Sequence, residues 1–420
     1  MGTPAKNTEL RPQTRPTLEP PPSARSLTEQ EIANSTVQSF SIVLGGPLYD
    51  FLLRHGFVRL VLPNVARRIA VLVALTWLPL LLLSLKDGLA FGNRVRIPFL
   101  YDFSTYGRFL LSMPLLLIAE IVIDPAIRQA VGEFVHAGVV PGQELPAFDN
   151  LLRRTQRLRD SWIPEGAMLV LAFFPVFLFE HDWAAGAISS WHSTSGGLTS
   201  AGFWYAILST PILRFLVYRW MFRYFIWALL LWRISQLNLI LPPTHPDHAA
   251  GLNFLGLAQK RFGILFCALG CMFAGLMTNN MVFEGAPLTS FRFLVLGFIV
   301  LFVILGILPL LLLAPKLSKV RKAGLLEYGK LAQLYTQSFD RKWVHYVDRP
   351  TEPLLGAGDI QSLADMGNSF ALVDAMNIAP ITRRLILQLA IQTALPLVPV
   401  IILGTPTPEL VRAVMKMLIP

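Results

Sequence analysis

Three arginines sit inside one apolar run. Phe203 to Trp232 reads FWYAILSTPILRFLVYRWMFRYFIWALLLW and carries Arg214, Arg219 and Arg223. Centring a guanidinium in hydrocarbon costs ~2.5–3.5 kcal/mol even on the lenient insertion scale, so each must snorkel, pair with an acid or line water. At 100° per residue Arg219 and Arg223 lie about 40° apart on one helix face, and Arg214 points roughly the opposite way. A voltage sensor repeats arginine at every third position, and this run does not. An acid for the pair exists in another apolar run: Glu120, one helical turn from Asp124.

Two readings are open for Arg219 and Arg223. They pair with Glu120 or snorkel to headgroups and hold helices together, or their excess charge over acid lines a cavity that attracts an anion. Tyr224 and Trp227 stand on the same run. Aromatic rings beside guanidinium groups allow cation–π contacts and suit an amphiphilic ligand.

A second candidate is the loop Leu241–Gly256, LPPTHPDHAAGLNFLG, where His245, Asp247 and His248 follow a helix-breaking proline pair. His-x-x-His with an intervening Asp can supply metal ligands, but no third His or Cys follows at a fixed spacing. A structured turn at a membrane interface, proton or ligand handling, and a metal site all remain open, and no metal or cofactor is assigned. Asp359, placed as a helix N-cap, and the pair Asp365 and Asn368 mark a third stretch, read first as a capped helix docking on the bundle. No phosphate-binding loop, nucleophile elbow or dinucleotide fingerprint occurs.

The elements that position these residues are membrane helices. Of the 420 residues, 54% are hydrophobic and only 15% charged, against roughly 25% charged in water-soluble domains. The apolar residues gather into runs long enough to cross ~30 Å of hydrocarbon. Seven spans are expected, at about Ile69–Leu85, Phe109–Ile123, Gly166–Phe179, Phe203–Trp232, Phe262–Met277, Phe293–Leu313 and Leu385–Leu403. The fold class is therefore all-α, a polytopic bundle with cytoplasmic amphipathic helices. Residues 1–38 form a Pro-rich disordered cytoplasmic tail, 39–68 an interfacial segment, 69–314 spans one to six, 315–384 a cytoplasmic helical segment, and 385–420 span seven with a tail.

The net charge of +10 would raise nucleic-acid binding in a soluble chain. Here the basic residues flank apolar runs, so anionic lipid headgroups are the expected partners and nucleic acid is not. Loops after spans two, four and six hold most of the Lys and Arg, which sets the amino terminus in the cytoplasm. The stretch Lys86–Arg108 dissents with four basic residues on the other side. Arginine far outnumbers lysine, an association with bacterial chains and an inner-membrane location.

Cys267 and Cys271, the only cysteines, form with Gly263 and Gly275 a small-residue stripe suited to close helix approach. The leading function is a channel or transporter for a small anionic or amphiphilic solute. Arg219 and Arg223 would attract it, Glu120 modulate them, Tyr224 and Trp227 line the path, and the His245–His248 loop gate it. A membrane-embedded enzyme on a lipid or isoprenoid substrate is one alternative. A non-catalytic sensor or scaffold, binding a protein through 315–384 or forming a homo-oligomer, is the other.

Overall fold

The computed structural model describes residues 37, 39–47, 65–178, 189–194, 197–345, 347, 353 and 357–404. Within them the chain is an all-helical bundle. Its elements in order are α1 (Val65–Lys86), α2 (Phe103–His136), α3 (Leu145–Arg159), α4 (Trp162–Leu178), α5 (Ser200–Ser235), α6 (Phe254–Phe283), α7 (Leu288–Leu311), α8 (Ala314–Phe339), α9 (Gly358–Asp374) and α10 (Arg383–Gly404). One antiparallel ribbon, β1 (Ser193–Thr194) and β2 (Gly197–Leu198), precedes α5. Six of the helices, α1, α2, α5, α6, α7 and α10, are long and apolar enough to cross a membrane.

The bundle has two ends. Backbone and side-chain bonds tie Ile240 to Val139 at 2.8 Å, Lys316 to the Leu237 carbonyl at 2.7 Å and Asn377 to His248 at 2.8 Å, gathering the loops rich in Lys and Arg at a basic end. Opposite lies a ribbon end, where Trp191 meets the Ile97 carbonyl at 2.9 Å and the Phe103 N–H donates to Asn279 at 2.9 Å. The chain leaves α2 at the basic end and enters α5 at the ribbon end, which requires an odd number of crossings between them. The described part of α4, 17 apolar-rich residues or about 25 Å at 1.5 Å per residue, supplies that crossing. The arrangement agrees with about seven spans.

α6 is the central element: 61% of its apolar window is buried inside the protein, against 17% for α1 and for α7, whose side chains mostly face outward. The small residues of α6 make its contacts possible. A Cβ on Gly275 would stand 2.6 Å from the Phe103 carbonyl, and one on Gly107 of α2 would stand 2.5 Å from the Cys271 carbonyl. Cys271 and Gly275 of the expected stripe are thus the seam where the backbones of α2 and α6 meet, whereas Gly263 packs against Gln392 of α10. Both α2 and α5 open with π-helical turns, at Tyr106–Ser112 and Tyr205–Ser209.

Two local expectations differ from the structure. Of the segment expected along the interface, Phe40, Ile42 and Val43 are buried within the bundle. They are held there because Ser41 donates to Asp124 at 2.5 Å and Arg159 donates to the Ser41 carbonyl at 2.5 Å; residues 48–64 lie outside the described ones. Asp359 is not the N-cap of α9, a position held by Ala357. It turns sideways and accepts from Lys342 at 2.8 Å and Trp343 at 2.9 Å, fastening the end of α8 to the start of α9. Asp365 accepts from Gln361 on its own helix at 3.0 Å. Residues 1–36, with nearly all of the tail expected to be disordered, also fall outside the described residues.

Candidate functional site

Glu120, only 4% exposed, sits midway along α2 and faces α1 and α5. Arg68 of α1 donates to one carboxylate oxygen at 2.7 Å, and Arg223 of α5 donates to the other at 3.0 Å. Arg219, one turn earlier on α5, holds a guanidinium nitrogen 3.9 Å from the same oxygen as Arg223. Arg223 also donates to the Val43 carbonyl at 2.9 Å and lies over the Trp220 ring, 4.9 Å from its centre. A helical turn below, Asp124 accepts from Arg128 at 2.7 Å and from Ser41. Four arginines therefore meet two carboxylates, and the cluster is net positive. The apolar environment makes that surplus felt, because screening falls with dielectric.

The surplus charge borders open space. A cavity of about 680 Å³ lies between α1, α4 and α5, with Arg67, Arg68 and Arg219 at its basic end and Leu72, Phe173 and Phe215 along its length. Val71, Leu169 and Trp162 also line it and are half or more exposed, so its mouth opens on the lipid-facing surface. Glu165 and Pro47 complete the basic end. Pockets of roughly 300–1,000 Å³ hold small organic ligands. The arrangement offers guanidinium donors for an oxyanion and an apolar wall for a chain attached to it.

The structure brings Glu120, Arg219 and Arg223 together as their spacing suggests. Tyr224 and Trp227 stand elsewhere on α5, in a buried polar chain. Trp227 donates to Gln259 at 3.0 Å, the Gln259 amide donates to the Tyr224 hydroxyl at 3.1 Å and to the Gly306 carbonyl at 2.6 Å, and Tyr224 donates to the Leu305 carbonyl. That chain ties α5 to α6 and α7. Arg214 points away from the cluster and reaches the Ala172 carbonyl at 3.5 Å.

His245, Asp247 and His248 form a compact knot at the basic end. Asp247 accepts backbone N–H groups from Ala249 at 2.8 Å, Gly251 at 3.1 Å and Asn253 at 3.1 Å, and lies 2.8 Å from His245 Nδ1. Partial burial opposes its ionisation, but those N–H groups and His245 outweigh it and hold the carboxyl below its ordinary value. His248 and Ala250 take left-handed backbone angles, φ 55° and 52°, which the knot enforces. Among the described residues no group of three or more His, Cys, Asp or Glu is placed to hold a metal ion.

Sequence reasoning missed Arg68, Ser41 and Val43. Arg68 precedes an apolar run and reads as an ordinary flanking charge, and no spacing rule links Val43 to Arg223. It also missed Asp102 at the ribbon end. There one carboxylate caps α2 through Ser104 at 3.0 Å and accepts Trp191 at 2.8 Å and Asn279 at 2.6 Å. Asp102 preceding Phe-Ser-Thr is a readable cap signal; its two distant partners are not. Beside it His192 bonds Ser190 through Nδ1. Burial pushes the His192 imidazole down to about 4, with Asp102 opposing and Arg108 adding to the shift. Comparison with known protein families, curated proteins and solved structures finds no match to this chain.

Proposed function

We propose that this multi-pass membrane protein recognises and moves an anionic amphiphile, which enters from the bilayer with its headgroup against Arg68 and Arg219. The observation that carries this is the cavity of about 680 Å³ with three arginines against one carboxylate, Glu165, at one end and apolar walls elsewhere. A water-soluble anion has no use for such walls, whereas a lipid-like chain fills them. Glu120 orients the guanidinium groups and tempers their charge. The His245–Asp247–His248 knot would act as a fixed collar at the basic end.

The basic end faces the cytoplasm in this reading, which places the amino terminus there and the chain in a bacterial inner membrane. The dissenting stretch at the ribbon end is partly used up by the fold: Arg96 donates to the Phe283 carbonyl at 2.5 Å, and Arg108 bonds Tyr205. A second reading, attachment of a protein partner through 315–384, is supported by α8, where Leu326, Leu331 and Leu334 are exposed among lysines.

The test is reconstitution into vesicles with fluorescent anionic, zwitterionic and cationic lipids, following transfer normalised to folded protein. Transfer should favour the anionic probe. It should fall in Arg219→Gln and be partly kept in Arg219→Lys, which preserves charge but loses the planar fork. Equal transfer of all three probes, or an unchanged Arg219→Gln, refutes the proposal.

A further inference from the structure

A second cavity, about 340 Å³, lies toward the ribbon end between α2, α5 and α6. Arg108, Tyr205, Thr210, Arg214 and Tyr218 line it, with Met272 closing the far wall. Five of its eight lining side chains are polar: Arg108 and Arg214 can only donate, the three hydroxyls can donate or accept, and the surface facing the space is mostly apolar. Arg108 is bonded to the Tyr205 hydroxyl and Arg214 reaches only a backbone carbonyl at 3.5 Å. Among the described residues neither guanidinium meets a carboxylate. The Thr210 hydroxyl, 8% exposed, has no hydrogen-bond partner among the described residues. A buried hydroxyl and two guanidinium groups within a membrane bundle all call for an acceptor.

The backbone is shaped to this place. Arg108 lies in the π-helical turn of α2 and Tyr205 in that of α5, so both walls leave α geometry at the level of the cavity. Such turns cost regular hydrogen bonding and recur at functional sites. Gly107, beside Arg108, lets α6 approach to backbone contact.

We propose that this cavity is a second binding site, for an oxyanion: a carboxylate or phosphate on a compact organic body. Arg214 and Arg108 grip the anion, and Thr210 donates the third bond. The site does not depend on the amphiphile cavity, because Arg214 and Arg219 lie on different faces of α5, about 140° apart at 100° per residue.

The full-length protein in nanodiscs of neutral lipid is titrated with inorganic phosphate, glycerol 3-phosphate and butyrate, reading thermal shift and tryptophan fluorescence. A parallel series replaces part of the lipid with phosphatidic acid, so that a free anion is distinguished from a lipid headgroup. Response to at least one free anion or to phosphatidic acid is expected. Arg214→Gln should weaken it at least tenfold, and Thr210→Val roughly two- to tenfold. The surface variant Arg153→Gln should leave it unchanged. If Arg214→Gln does not fold, Arg214→Lys takes its place and should weaken binding at least fivefold. Repeating the set on an Arg219→Gln background keeps the outcome separate from the fate of the amphiphile cavity. No response to any anion or to phosphatidic acid, or equal affinity in the folded Arg214 variant, overturns the proposal.

Discussion

Replacing Glu120 with Gln keeps the shape of the side chain and removes the charge that one buried guanidinium, Arg223, and one half-buried guanidinium, Arg68, both bond. Arg223 is 3% exposed and is left with the Val43 carbonyl and the Trp220 face. Breaking a buried pair from one side costs ~3–5 kcal/mol, chiefly because the remaining charge is stranded. Arg68 differs: its side chain is 18% exposed at the edge of α1, so it can turn to headgroups when its partner is lost. Its coupling to Glu120 should resemble a surface pair, ~0–1 kcal/mol. The coupling to Arg223 should reach ~1.5–3 kcal/mol, and Arg219, at 3.9 Å and without a hydrogen bond to Glu120, should fall between. Reversible unfolding in mixed micelles, followed by tryptophan fluorescence, gives the double-mutant cycles with Arg68→Gln, Arg219→Gln and Arg223→Gln. A Glu120→Gln variant within ~0.5 kcal/mol of the parent, or a stronger coupling to Arg68 than to Arg223, would show that the buried-pair argument is wrong.

Gly275→Ala and Gly107→Ala each push a methyl into a backbone carbonyl, at 2.6 Å and 2.5 Å, and should cost ~1–3 kcal/mol in the same unfolding assay. Gly297→Ala, inside α7 with nothing within 4 Å, should cost nothing and stabilise by up to ~1 kcal/mol. Asp247 has a folded carboxyl value below its unfolded one, so its contribution is complete above the ordinary aspartate range and is lost as pH falls through the folded value. Protection factors at Ala249, Gly251 and Asn253, taken against the intrinsic exchange rate at each pH, should therefore fall in acid and in Asp247→Ala at neutral pH; persistent protection in Asp247→Ala refutes the knot. His192 has the opposite chemistry but the same direction. Its imidazole, pushed down to about 4 by burial, binds a proton in the unfolded chain first, so stability drops as pH falls from about 6.5 toward 4 and is flat above. His192→Gln should flatten that part of the pH profile of thermal melts, and an unchanged slope would assign it to other groups.

Much of the bundle could be read from the chain because lipid punishes errors that water forgives. An unpaired Glu120 or Arg223 in hydrocarbon is so costly that their meeting could be inferred from type and depth alone. The span count followed from run length for the same reason. What could not be read depends on contacts between residues with no shared period. Residues 39–47 look interfacial because Gly45, Gly46 and Pro47 interrupt their apolar pattern, yet Ser41 and Val43 present the groups that Asp124 and Arg223 need. Asp359 follows the pattern of a cap, but Lys342 and Trp343 reach it first. Tyr224 and Trp227 group with the arginines by proximity in sequence, yet their hydroxyl and indole N–H are spent on Gln259 and the α7 backbone. The cavity toward the ribbon end rests on two π-helical turns, for which the residue pattern carries no marker.

The bond between Arg223 and the Val43 carbonyl spans 180 residues of chain, and its direction matters for biogenesis. Val43, Arg68 and Glu120 all leave the ribosome before α5, and synthesis proceeds from the amino terminus. The least apolar of the six long helices is thus made after the groups that its Arg223 bonds, although before α6 and α7. Its insertion is expected to be assisted, with the earlier helices serving as the acceptor. A chain split within 189–199 should reflect this order: the carboxyl-terminal fragment would integrate poorly by itself and recover when the amino-terminal fragment is made first.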